Sequence, residues 1–157
     1  MSLVYRLCRA RRAHSPLDGE GARLYGGRWN PKGVPMVYTG STLSLATLEV
    51  LVHFAFDTAP DDYVAITLRL PDDAITELRE TDLPPRWYEE PAPRECQAIG
   101  GRWARSMESL ALRVPSAVIR SERNVLINPT HPLVDRVSVE AKEPFFFDPR
   151  LAKPQTS

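Results

Sequence analysis

Apolar and polar positions alternate over two stretches of the chain, and each predicts a strand. The first, 3–7, puts Leu3, Tyr5 and Leu7 on one side and Val4, Arg6 and Cys8 on the other. The second, 63–70, is the clearest strand pattern in the chain. Between them, residues 33–56 read GVPMVYTGSTLSLATLEVLVHFAF. Here 36–39 predicts a short strand, Gly40-Ser41 breaks it, and Ser41 is the predicted N-cap of a helix running to about Phe56. Helical spacing places Leu45, Leu48, Glu49, Val52 and Phe56 on one face of it.

The remaining pattern is less regular. Residues 11–27 are polar and glycine-containing and predict a long loop, followed by a turn-rich GGRWNPKG at 26–33. Residues 72–80 carry no clear period, and 81–94 hold four prolines and read as a second long loop. A second helix is predicted from Glu95 to about Arg113, with Ile99, Trp103, Met107 and Leu110 on one stripe. Strands are predicted at 117–120, 124–127, 136–140 and 144–147, with a turn or short helix at 129–135 and a loose tail after Asp148. Helices and strands mix without a βαβ rhythm. The expected fold is α+β, one compact domain over 1–157 with an ordered core of about 3–150, built of mostly antiparallel sheets with flanking helices.

Composition narrows the function classes. Lys plus Arg equals Asp plus Glu at 20 each, so net charge does not point to nucleic acid or an anionic membrane as partner. Two cysteines, Cys8 and Cys96, make neither a disulfide framework nor a metal signature and suit a reducing compartment. No apolar run approaches the roughly 18 residues of a membrane span, and the start MSLVYRLCRARR lacks the apolar segment of a signal peptide. The expected location is the cytoplasm.

The candidate chemistry starts at Glu49, the only acid in 33–56, a stretch without Lys or Arg. A carboxylate on an apolar helix face costs several kcal/mol unless it meets a partner. Two readings stand side by side: a buried ion pair with Arg28 or Arg6, and a catalytic carboxylate. Arg28, in the Gly-rich turn, is either a phosphate-gripping guanidinium or a surface residue stacked on Trp29. Tyr38 is either a ring-stacking platform or an ordinary strand aromatic. Ser116 reads first as a capping or turn residue; Asn124, Asn128 and His131 are polar residues in an otherwise apolar segment, and His53, one helical turn beyond Glu49 and able to touch it, reads first as a satisfied structural residue. No G-x-S-x-G elbow, P-loop, G-x-G-x-x-G or metal-ligand spacing is present. One carboxylate, one or two arginines, a tyrosine and a serine suit cleavage of an N-glycosidic bond such as the nicotinamide–ribose bond of NAD. That reaction asks for grip on a diphosphate and electrostatic stabilisation of an oxocarbenium ion.

These residues also carry a resemblance. GGRWN at 26–30, VYTG at 37–40, LATLEVLVH at 45–53, PSAVI at 115–119 and NVLINPTH at 124–131 resemble the RES domain, in that order and over nearly the whole chain. The resemblance implies an ADP-ribosyltransferase-like fold and a type II toxin that consumes NAD by hydrolysis or phosphorolysis, or else ADP-ribosylates a protein. NAD is then substrate, with no permanently bound cofactor or metal. An Xre-like antitoxin would block the site, nucleic acid would be met only through that antitoxin, and a homodimer could form within the complex. By motif position, Glu49, Arg28 and Tyr38 are the catalytic expectations, and Arg6, Trp29, Asn30, Ser116 and Asn128 the substrate-binding ones. The alternative from another class is a non-enzymatic binding module with Glu49 as a paired core residue.

Overall fold

The structure is a computed structural model that describes residues 1–53 and 59–151. Among these residues seven strands form one sheet: β1 (Ser2–Arg9), β2 (Val37–Gly40), β3 (Tyr63–Leu70), β4 (Ile75–Glu77), β5 (Ala111–Pro115), β6 (Arg123–Ile127) and β7 (Ser138–Phe145). Their order is β4-β5-β6-β2-β1-β3-β7, and every pairing is antiparallel except β4–β5. Among the described residues three α-helices flank it: α1 (Glu20–Tyr25), α2 (Leu43–His53) and α3 (Arg94–Ser106). The α+β architecture with a mostly antiparallel sheet follows the sequence pattern. Among the described residues no helix is long and apolar enough to cross a membrane.

Strand alternation sorts the core. Val4 and Cys8 of β1 join Val37, Ile66, Leu68, Val125 and Ile127 in one buried cluster. Leu7, from the opposite side of β1, meets Tyr63, Phe147 and the α2 residues Leu43, Val50 and Leu51. A third cluster gathers Trp29, Met36, Cys96, Trp103, Leu112, Val114 and Leu126 under α3. The tightest approach in it is at Gly100, where an added Cβ would lie 1.7 Å from the Trp29 carbonyl oxygen. The glycine pair inside α3 is there to admit the 29–31 segment.

Several expectations need correction. The predicted loop 11–27 contains α1, a helix too short for its period to show. Asp18 Oδ1 accepts from the Glu20 amide at its start, and Asn30 Nδ2 donates to the Ala22 carbonyl near its end. The cap of α2 is Thr42 rather than Ser41, its Oγ1 accepting from the Leu45 amide at 3.1 Å. The buried side of α2 carries Leu45, Ala46 and Thr47, with Leu43, Val50 and Leu51 partly buried beside them. Of the predicted face, Leu45 is buried as expected and Glu49 is half-buried, but Leu48 and Val52 are 37% and 58% exposed, so that face runs from the core at Leu45 to the rim of the helix; Phe56 lies outside the described residues. Helix α3 stops at Ser106 because Met107 turns left-handed (φ 57°), and the rest of the predicted helix is a turn over 107–110 and the start of β5. Residues 117–120 are a turn, bent by the Val118 and Ile119 amides donating to Ser116 Oγ. The two final strands are one continuous edge strand, β7, whose polar middle faces water. The region of unclear period resolves into a 3-10 turn at Asp72–Ala74 and β4. The expected loose tail lies, from residue 152 on, outside the described residues.

Candidate active site

Helix α2 leaves β2 through the Gly40–Thr42 corner and carries Glu49 on the edge of its buried side. The β5–β6 connection brings Ser116 to it. Ser116 is fully buried, and its hydroxyl donates to Glu49 Oε1 at 2.8 Å while accepting from the Val118 and Ile119 amides at 3.0 and 3.1 Å. The single hydroxyl proton is thereby committed to the carboxylate. Glu49 itself is half-buried, and among the described residues no cation pairs with it. A carboxylate oriented by a serine and left without a cation presents its negative charge to whatever enters beside it.

Neither arginine expected as its partner fills that role, which corrects the ion-pair reading. Arg28 Nη1 donates to the carbonyls of Trp87 and Glu89 at 2.7 and 2.8 Å, and Nη2 pairs with Glu90. Its side chain is 12% exposed, so it is no simple surface residue. Arg6 lies on the side of β1 that carries Val4 and Cys8, opposite the side on which Leu7 meets α2. Its Nη1 donates to the Tyr38 carbonyl at 3.4 Å, and its buried Nε has no partner among the described residues. Burial pushes the Arg6 guanidinium below its ordinary pKa, opposed by the nearby Cys8 and Asp18.

The GGRWN turn is organised inward. The Tyr38 hydroxyl donates to Asn30 Oδ1 at 2.5 Å and accepts from the Trp29 amide at 3.0 Å. Asn30 is fully buried, its Nδ2 donating to the carbonyls of Ala22, Pro31 and Val34. Gln97 Nε2 of α3 holds the Gly27 carbonyl at 3.0 Å. A Cβ at Gly27 would fall 2.5 Å from the Tyr38 hydroxyl, which is why a glycine precedes Arg28. Trp29 is buried under α3 rather than stacked beneath Arg28. Burial of the Tyr38 phenol raises its pKa well above the ordinary value, so it holds its proton.

Asn128 is brought to none of these residues. Its Nδ2 donates to the Ala104 carbonyl at 2.8 Å, and its Oδ1 accepts from Thr130. It lies at the far end of the β5–β6 pair from Ser116, roughly 20 Å along the strand. His131 is likewise structural, accepting from the Leu133 amide at Nδ1 and facing the Met107 carbonyl with Nε2. Asn124 donates to the Thr39 carbonyl, and His53 is exposed at the last described position of α2.

What the sequence pattern did not single out is the 84–93 loop. It carries the three acceptors of Arg28, and its Tyr88 ring lies under the Arg120 guanidinium at 3.6 Å. Arg120 belongs to the turn that follows Ser116, so the loop spans from Arg28 to the neighbourhood of Glu49. Two aromatics and two acids packed between prolines were the available signal.

The chain matches the RES domain family over residues 3–148. It is 38% identical to "Toxin Res" of Yersinia enterocolitica over 151 residues, covering 95% of this chain and 99% of that toxin. It is 35% identical to the "Prs ADP-ribosylating toxin" of Sphingobium sp. over 140 residues, 87% of each chain. Its fold is similar to a chain in the crystal structure of the MbcT–MbcA toxin–antitoxin complex of M. tuberculosis. That superposition has a TM-score of 0.74 at 22% identity and covers 96% of this chain and 86% of that one. With the family model matched over nearly all of its length and relatives above 30% identity spanning most of it, the chain belongs to the RES domain family of toxins.

Proposed function

We propose that this toxin consumes NAD by breaking the bond between nicotinamide and its ribose, and that water or phosphate receives the ADP-ribosyl group. The observation that carries this reading is the Glu49 carboxylate, aligned by Ser116 and free of any cation among the described residues. As the C1′–N bond breaks, its electron pair passes to the pyridinium nitrogen and nicotinamide leaves neutral. The positive charge left on the ribose is what an oriented, unpaired carboxylate stabilises. The acceptor oxygen then bonds to C1′ and gives up its proton. Arg28 takes the diphosphate. Tyr38, its hydroxyl committed to Asn30 and Trp29, contributes a ring face rather than a proton. Ser116 aims Glu49, Arg6 holds the backbone under Tyr38, Trp29 and Asn30 shape the turn that presents Arg28, and Asn128 fixes the end of α3.

A second reading, transfer of ADP-ribose to a protein, is favoured by the name of the Sphingobium relative. Incubation of the purified chain with adenine-labelled NAD separates the two. Free ADP-ribose, or its 1″-phosphate when phosphate is added, is the expected product; label retained on a protein band would establish transfer instead. As in the complex that the structural relative forms, an antitoxin would keep the toxin silent. An Xre-like partner covering Glu49 and the exposed Leu48 and Val52 beside it fits that role, with the cytoplasm as the place of action.

A further inference from the structure

We infer that Glu90 is an internal occupant of the phosphate-binding position at Arg28, so that its carboxylate must leave Arg28 Nη2 before substrate is gripped there. The inference rests on the proposed reading of Arg28 as the diphosphate anchor. Its basis is what already fills that guanidinium: two carbonyls, from Trp87 and Glu89, on Nη1 and the Glu90 carboxylate on Nη2. A carboxylate and a phosphate oxygen present the same charge-assisted acceptor to a guanidinium, so they compete for the same hydrogens. The loop also shields the cation, since Arg28 is 12% exposed while Glu90 is 67% exposed. A carboxylate that open to water leaves at little cost.

The loop is tied at its other side as well. Tyr88 stacks under Arg120, and within the loop Arg86 pairs with Glu89 at 3.3 Å. Leu83, Arg86, Trp87, Pro115 and Arg120 line a cleft of about 410 Å³ between the loop and the turn that holds Ser116. The loop is therefore a strap from Arg28 to that turn, and Glu90 is its latch. Unlatching frees one edge of Arg28 while Tyr88 keeps the strap anchored on Arg120. Glu90 thus sets the affinity for the phosphate-bearing part of the substrate without touching the reacting atoms.

Calorimetric titration of the full chain with ADP-ribose tests this. Glu90→Gln removes the charge and keeps the shape, and should tighten ADP-ribose binding about two- to fivefold, the worth of an exposed ion pair. KM for NAD should fall by the same factor with kcat unchanged. Arg28→Lys, which retains a cation for the loop carbonyls, and Arg28→Ala should both weaken ADP-ribose binding. Adding Glu90→Gln to Arg28→Ala should then change nothing further. Weakened binding in the Arg28 variants together with unchanged binding in Glu90→Gln would overturn the latch and leave Arg28 as the anchor. Unchanged binding in the Arg28 variants would overturn the anchor, and the latch with it. Thermal melting of each variant confirms that a folded chain is being titrated.

Discussion

Glu49 stood out because it is the only acid in an apolar run, and its unusual position is real, but the physics differs from what the run suggested. It is at the rim of α2, with Leu48 and Val52 exposed beside it, so it does not bear the full cost of a core charge. Its partner Ser116 is 67 residues away and has no local signature, so periodicity could not find it. Tyr38 carries a different lesson. Read alone it was a strand aromatic or a stacking platform; its hydroxyl turns out to be the peg on which Trp29 and Asn30 hang. Because burial raises the phenol's folded-state pKa, the folded chain keeps a proton that the unfolded chain loses above about pH 10. That contribution to stability is complete below the unfolded value and is lost as pH rises beyond it. Tyr38→Phe should therefore cost about 1–3 kcal/mol at neutral pH, through the unsatisfied Trp29 amide and Asn30 oxygen. It should also flatten the decline in melting temperature between about pH 9 and 11. An unchanged alkaline slope would mean that Tyr38 is not the group responsible.

Elements with a clean two-residue period were legible, as β3 shows by spanning the predicted 63–70. Elements defined by side-chain caps or by partners distant in sequence were not. The stripe Ile99–Trp103–Met107–Leu110 keeps helical spacing beyond Ser106 by coincidence, because Met107 reverses the chain and Leu110 leads into β5. The β7 strand looked like two because its exposed middle lacks alternation, as an edge strand facing water allows. The Gly100-Gly101 pair inside α3 is a contact requirement. Gly100→Ala would drive its Cβ into the Trp29 carbonyl. A loss of at least about 2 kcal/mol is expected, with a melting temperature several degrees lower. Since the same contact seats the segment after Arg28, NAD turnover should fall with it. A variant as stable as the parent would show that α3 and the 29–31 segment are less closely joined than described.

At the scale of the whole molecule, the sheet sets two fixed bodies against each other. The α2–β2 corner holds Glu49, and the β5–β6 pair delivers Ser116 and Arg120. The GGRWN turn, seated under α3, aims Arg28 outward to the 84–93 loop that closes over it. The α+β class was visible in the mixture of periods and the absence of a βαβ rhythm. The order of strands was not, since pairing depends on contacts that no local window contains. The account's central claim is that the Glu49 carboxylate stabilises the ribosyl cation. The most direct test is nicotinamide release from NAD by the purified chain and by Glu49→Gln, which still accepts from Ser116 and preserves the shape of the site. The account predicts release by the parent and a loss of about 10²–10³-fold in kcat for the folded variant. Release by Glu49→Gln at the parent's rate would contradict it.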